Sequence, residues 1–284
     1  MELAEIAAPL FDLRMTLESG QVFHWRPFAR GFAGLVGCEP VYVEQKNGSL
    51  RVTAGALPLV RDYFALDHDL KRIYGTFPKD PAMEAALEYC RGVRIMRQPP
   101  WECLAAFITS ALKQVKHIQQ MSHAIREMFG EPVAFGGTQF FTYPSAARLA
   151  AATERQLRQC RLGFRAGNLI GTARMIASGE VDLDRLRTLD DARALEELCR
   201  LPGVGQKIAN CVLLFAYGRL AAFPIDVWID RVLRGIYFPR KRKVTAKRLR
   251  EFSESYFGSY RGYAQQYLFH HARKTHRRSK ADEH

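Results

Sequence analysis

The stretch "LEELCRLPGVGQKIANCVLLF", Leu195 to Phe215, reads as helix, tight turn, helix. Apolar residues recur at three- and four-residue spacing on both sides of the turn. Pro202 lacks the amide proton that would continue the first helix. Gly203 and Gly205 permit positive φ and the close approach of another backbone. The second helix then begins with amides that have no intrahelical acceptor, which makes its start an anion site. A turn that simply needs two glycines is the plainer alternative. Leu201, Pro202, Val204 and Ala209 all standing in register argue against it.

The register L-P-G-V-G-x-x-x-A resembles the helix-hairpin-helix motif, which grips a DNA phosphate without reading sequence. On that likeness Gly203, Val204, Gly205 and Gln206 are the expected phosphate contacts. The bulk charge agrees. The 284 residues carry 42 Lys+Arg against 29 Asp+Glu, a formal net charge of +13. Such an excess suits a polyanion, either nucleic acid or an anionic membrane face. No apolar run approaches the length of a membrane span, and no amphipathic terminal helix supports membrane association. Cys38, Cys90, Cys103, Cys160, Cys199 and Cys211 lack any C-x-x-C spacing, which excludes the usual zinc patterns and predicts free thiols. The N-terminus has no positively charged region followed by an apolar core, so no secretory signal is read there. An intracellular, reducing compartment is expected, cytoplasm or nucleoid in a bacterium and nucleus in a eukaryote.

Lys207 stands where a helix end already carries positive partial charge. One reading is a solvated lysine that adds grip on phosphate. The other is a nucleophile. An amine attacks carbon only when uncharged, and a helix N-terminus and burial both favour that form. Asp226, 19 residues on in "FPIDV", precedes an apolar helix and suits an N-cap. A carboxylate there can also face a developing sugar cation during glycosidic cleavage. The pair favours the nucleophilic reading.

Elsewhere the first 80 residues read as β-rich. "PVYVEQKNGSLRVTA" alternates around an Asn-Gly turn, and "GQVFHWRPF" reads as a strand. From Leu57 the periodicity is helical, with Asp80 and Pro81 opening one helix and "YRGYAQQYLFHHARK" forming the last. The expected fold is α+β and mostly α. A twisted antiparallel β-sheet domain (1–80) precedes a two-lobed helical region (81–284), with the hairpin at about 191–217.

With Lys207 and Asp226 in place, the chain resembles a bifunctional helix-hairpin-helix DNA glycosylase, most closely the 8-oxoguanine DNA glycosylase/AP lyase family. The likeness spans roughly Leu13 to Ala272. It rests on "LESGQVFHW", "VRIMRQPPWECLAAFITS", "LGFRAGNL", "LCRLPGVGQKIANCV", "FPIDV" and "GYAQQYLF", in that order. It implies that Lys207 attacks C1′ of an extruded nucleotide, forms a Schiff base and nicks the strand by β-elimination, while Asp226 stabilises the sugar cation. Gly20 would offer its carbonyl to N7–H of the oxidised base, a donor that guanine lacks. Cys211 and Phe269 would sandwich the base, and Gln265 would bond its pairing edge. Arg165 would meet the estranged base, with Phe164 wedging at the kink. The carbonyls of Cys199, Leu201 and Val204 are offered as ligands to a structural monovalent or divalent cation. No cofactor is otherwise required, and a monomer acting on double-stranded DNA is expected.

The chain departs from the family pattern at three points. Leu112 replaces the asparagine that fills the hole left by the flipped base, and an apolar wedge can still fill the stack. His117 replaces an arginine that helps recognise the opposing cytosine, which predicts weaker discrimination of the opposite base. Trp228 replaces a histidine two residues after Asp226. The run "RKRKVTAKRLR", Arg240 to Arg250, suits either flanking phosphates or a solvated helix face. Two rivals stay open: a glycosylase of the same fold for another damaged purine, and a damaged-DNA-binding protein without turnover. The absence of any cysteine after Cys211 excludes the usual four-cysteine iron–sulfur cluster of neighbouring branches.

Overall fold

The Asn-Gly pair makes the hairpin that the alternation predicts. In the computed structural model, which describes residues 2–111, 113–240 and 243–281 and side-chain surroundings as far as residue 275, Asn47 and Gly48 take φ of +50° and +77°. They join strands β4 (Glu39–Lys46) and β5 (Ser49–Thr53), as a two-residue loop with both φ positive requires. With β1 (Leu3–Ala7), β2 (Arg26–Phe28) and β3 (Gly31–Val36) they form an antiparallel sheet of order β1-β5-β4-β3-β2. Val41, Val43, Leu50 and Val52 face a core completed by Trp25, Tyr63, Phe64 and Met96.

The segment "GQVFHWRPF" becomes a strand only at Arg26–Phe28. Its first part is held by side-chain amides instead of a ladder. Gln21 Nε2 donates to the Arg94 carbonyl at 2.8 Å, its Oε1 accepts from Met96 N at 2.9 Å, and Gln98 Nε2 donates to the Gln21 carbonyl at 2.8 Å. These bonds satisfy buried backbone that a strand partner would otherwise serve.

The remainder is helical except for one hairpin that periodicity overlooks, β6 (Pro132–Phe135) and β7 (Thr138–Phe141). Gly136 and Gly137, both at positive φ, were its signal. Phe140 packs on Ala33 and Leu35, so this hairpin backs the sheet. Nearby, the buried Glu102 carboxyl lies 3.1 Å from His24 Nδ1 and pairs with Arg126, tying sheet to helices.

Two groups of helices share one apolar core. One includes Pro100–Thr109, Val115–Phe129, Arg165–Ala177 and the hairpin helices Asp191–Cys199 and Gln206–Phe215. The other gathers Pro81–Tyr89, Val227–Val232, Ala246–Tyr256 and Arg261–Ala281. The C-terminal helix also reaches the sheet side: Tyr267 OH donates to the Val93 carbonyl at 2.8 Å, and Ile95 N donates to Tyr263 OH at 3.2 Å.

Gly262 fixes how closely this helix meets the second hairpin helix. A Cβ there would lie 2.4 Å from Leu214 Cδ1 and 2.9 Å from the carbonyl oxygens of Leu220 and Ala222. Gly262→Ala should therefore cost about 1–3 kcal/mol of stability, read from urea denaturation. An unchanged midpoint would show that the two helices can part at no cost.

Candidate active site

The second hairpin helix starts at Gly205, and no side chain caps it. Gly203 has φ +78°, and a Cβ there would meet the Asn168 side chain at 2.8 Å. The Pro202 carbonyl accepts from Thr172 Oγ1 at 2.9 Å, which fixes the turn to a neighbouring helix. Of the four expected phosphate contacts, Val204 spends its amide inside the turn, on the Leu201 carbonyl at 3.0 Å. Gly203, Gly205 and Gln206 are exposed at the helix start.

Lys207, in the first turn, is half-buried. Its Nζ donates to Ser110 Oγ at 3.4 Å and lies 5.3 Å from the Phe107 ring centroid. Phe107 in turn stacks on Phe215 at 5.5 Å. Asp226 is the N-cap of Val227–Val232, and its Oδ1 accepts from Ile229 N at 2.9 Å. The loop that brings Asp226 back is pinned by Asn210: its Oδ1 accepts from Phe223 N at 3.3 Å, and its Nδ2 donates to the Gln206 carbonyl at 2.8 Å. Burial raises the Asp226 carboxyl above its ordinary range, while the Ile229 and Trp228 amides and the Lys207 charge pull it back.

Lys207 and Asp226 open onto a cleft of about 1130 Å³ between the two helix groups. Gly20, Cys211, Gln265 and Phe269 all line it. Cys211 is 3% exposed, and burial pushes its thiol up to about 11, so it presents an uncharged sulfur. Gln265 is 3% exposed, and its Oε1 has no protein partner among the described residues. Gly20 has φ +91°, and a Cβ there would lie 3.2 Å from Phe269 Cε1, so any larger residue narrows the slot. The loop is tied to the C-terminal helix: Gln266 Nε2 donates to the Ser19 carbonyl at 3.1 Å and Arg273 Nη2 to the Glu18 carbonyl at 2.6 Å.

The wedge residues stand apart from this pocket. Phe164 is 63% exposed at the start of Arg165–Ala177, and His117 is exposed on Val115–Phe129. Arg165 turns inward. Its Nε donates to the Ala111 carbonyl at 2.7 Å, joined there by Nη2, and its Nη1 donates to the Leu162 carbonyl at 3.1 Å. Leu112 lies outside the described residues. Trp228 lines the cleft, with the Arg231 guanidinium 5.6 Å from its ring. In the basic run, Lys241 and Arg242 lie outside the described residues. Arg250 lines the cleft, and Lys247 and Arg248 pair with Glu251.

Sequence reasoning missed Ser110, Asn210, Gln266 and Arg273. Only the last gave a periodic signal, one helical turn beyond Phe269. Among the described residues no helix is long and apolar enough to cross a membrane, and no cluster of His, Cys, Asp or Glu could hold a metal.

A helix-hairpin-helix that presents a lysine and a half-buried, helix-capping carboxylate to one deep cleft defines a DNA glycosylase. The chain belongs to the HhH-GPD superfamily of base excision DNA repair proteins, whose family model matches residues 105–256, and residues 5–104 match the 8-oxoguanine DNA glycosylase N-terminal domain. It is 32% identical to a probable N-glycosylase/DNA lyase of Methanothermobacter thermautotrophicus, over 93% of this chain and 94% of that one. N-glycosylase/DNA lyase OGG1 of Arabidopsis thaliana is 29% identical over 90% of this chain and 76% of its own. Among solved structures, Clostridium acetobutylicum 8-oxoguanine glycosylase/lyase, in complex with double-stranded DNA containing cytosine opposite 8-oxoguanine, superposes with a TM-score of 0.90. It is 29% identical and covers 97% of this chain and 99% of that chain. The chain is an N-glycosylase/DNA lyase of base excision repair.

The cap and the raised carboxyl of Asp226 make separable predictions. Asn caps as well as Asp, so Asp226→Asn should keep the fold, whereas Asp226→Ala should lose about 1 kcal/mol. In the folded protein the Asp226 carboxyl binds its proton more tightly than in the unfolded chain, where its value is near 3.8. The stability it contributes is therefore full below that value and falls as pH rises through the folded-state value. Relative to wild type, Asp226→Asn should gain stability across that window and then level off. Urea denaturation of both proteins at a series of pH values checks this, and a difference that shrinks with rising pH contradicts it.

Proposed function

We propose that this chain excises 8-oxoguanine from duplex DNA and then nicks the strand at the resulting site. The observation that carries the reading is the meeting of Lys207 and Asp226 in the cleft that Gly20, Cys211, Gln265 and Phe269 line. A base reaches such a cleft only by leaving the stack. Once extruded, it lies between the Cys211 sulfur and the Phe269 ring. The Gly20 backbone accepts from N7–H, which unmodified guanine lacks, and the Gln265 amide, whose Oε1 has no partner among the described residues, bonds the pairing edge.

Lys207 then supplies the electron pair that bonds Nζ to C1′. The bond from C1′ to the base breaks, its electron pair leaves with the base, and the proton that the amine sheds goes to the departing base. Positive charge that develops on the sugar meets the Asp226 carboxylate. Ring opening gives a Schiff base at C1′. Loss of a proton from C2′ and expulsion of the 3′ phosphate complete β-elimination. Ser110, which accepts from Nζ at 3.4 Å, orients the amine before attack.

A cation at the hairpin belongs to the same proposal. Turn carbonyls are hard oxygen donors that suit an alkali or alkaline-earth ion, and Cys199, Leu201 and Val204 would supply them. When bound, such an ion adds positive charge beside the phosphate that Gly203, Gly205 and Gln206 face.

Strand nicking without added alkali should appear with an 8-oxoguanine duplex and not with uracil, 3-methyladenine or thymine glycol. Borohydride should trap a covalent adduct with the wild type and none with Lys207→Gln. Asp226→Asn should slow excision about 100- to 1,000-fold, the range for loss of one electrostatic stabiliser. Absence of nicking at 8-oxoguanine defeats the substrate assignment, and nicking without a trappable adduct defeats the lysine mechanism.

Opposite-base selection should be shallow. His117 offers at most a small imidazole, and Arg165 must give up its bonds to the Ala111 carbonyl before it can reach an estranged base. Single-turnover rates with C, A, G and T opposite the lesion should agree within about tenfold, less than the discrimination of one good bidentate contact. A steep preference for C refutes this.

A further inference from the structure

We propose that Arg273 determines specificity. Its buried positive charge, at the base end of the cleft, excludes purines made cationic by alkylation and admits uncharged oxidised ones. The proposal rests on the reading of the cleft as a base-excision site.

Arg273 stands one helical turn beyond Phe269, so both side chains leave the C-terminal helix on the same face. It lines the cleft yet is only 6% exposed. Its Nη2 donates to the Glu18 carbonyl at 2.6 Å and to His270 Nδ1 at 3.1 Å. The guanidinium lies 5.3 Å from the Phe269 ring centroid. A Cβ built on Gly20 would fall 2.7 Å from Arg273 Nη1 and 3.2 Å from Phe269 Cε1. The charge therefore occupies the corner where the two residues assigned to the base come together.

A guanidinium stays protonated at any working pH. Burial, and then the Arg273 charge, push His270 down to about 3, so its ring is neutral and serves as acceptor. Glu18 contributes its carbonyl here, while its carboxylate reaches outward to Arg14 and Lys274. The Asp226 carboxyl feels the Lys207 charge first and the Arg273 charge less. Methylation at N3 or N7 of a purine nucleotide puts a formal positive charge on the ring, whereas 8-oxoguanine carries none. Like charges that are nearly costless in water repel strongly once both are desolvated. Rejection of the wrong base then needs no extra contact with the right one, only a repulsive element placed against its competitor.

The test separates charge from shape. Two duplexes carry matched 2′-fluoro sugars, which block excision. One holds 7-methylguanine, a cation, and the other 7-methyl-7-deazaguanine, its uncharged isostere. The wild type should bind the uncharged lesion about 10- to 100-fold more tightly, the range expected for one desolvated like-charge contact. Arg273→Gln and Arg273→Met should bring the two affinities within about threefold, and Arg273→Lys should keep the preference. Each readout is a ratio on one preparation, so loss of active protein cancels. Equal binding by the wild type overturns the proposal, as does a preference that survives in the Gln and Met variants. Loss of the preference in Arg273→Lys as well would assign the effect to packing and overturn it too. Wild-type nicking of 8-oxoguanine is scored separately, so a failure of the functional reading is distinguishable from a failure of this one.

Discussion

Two helices begin near one another, and the first turn of one carries an amine while the cap of the other carries a carboxylate. The site depends on that convergence of Lys207 and Asp226. A helix start stabilises negative charge, so the helix that Asp226 caps favours its carboxylate. Burial works the other way on the carboxyl, and it is the larger influence there. Asn210 is what holds the opposing effects in register. One face of its amide bonds the hairpin helix and the other the loop that returns Asp226 to it. That brace adds to the bond from Arg219 N to the Leu213 carbonyl at 2.9 Å, which folds the same loop back on the hairpin helix.

The base pocket is assembled from distant parts of the chain and gains its rigidity from backbone bonds. The loop at Gly20 is tied to the C-terminal helix through Gln266 and Arg273. It is tied to the hairpin helix through Gln98, whose side chain donates to the Gln21 carbonyl and whose backbone amide donates to the Phe215 carbonyl at 2.8 Å. Three segments far apart in sequence are thereby locked at one spacing. A slot for a planar ring needs such a fixed spacing, because a wall free to move would close on itself when empty. The cost of ordering these groups is met during folding and not when a nucleotide enters.

The legible parts of this architecture were local. The Asn47-Gly48 turn, the Pro-Gly-x-Gly turn and the Asp80 and Asp226 caps each declare themselves within a few residues, because the backbone geometry they need permits few side chains. Lys207 was legible for the same reason, as a cation where helix electrostatics disfavour one. The segment 20–25 misled because its aromatic, β-branched composition suits a strand, yet the Gln21 side chain bonds the backbone of Arg94 and Met96 and the Gln21 carbonyl accepts from Gln98, partners more than 70 residues away. The hairpin at Pro132–Phe141 hid inside a helical stretch, its glycine pair outweighed by the periodicity around it. Ser110 and Asn210 were invisible for a simpler reason: small polar residues on apolar helices have no periodicity of their own, and only their partners reveal them.

The two halves of the recognition task are built differently. On the pocket side Asp226, Asn210, Gln266 and Arg273 are braced by backbone, and Cys211 and Gln265 are each only 3% exposed. On the side that would face the undamaged strand, Phe164 and His117 stand exposed, and Arg165, the cation expected there, is engaged within the protein. A braced pocket discriminates before contact, because the wrong base finds fixed dipoles and a fixed width. Exposed side chains discriminate only through bonds formed at contact, each worth little against water. The arrangement fits the proposal that selectivity lies in the lesion and not in the partner base.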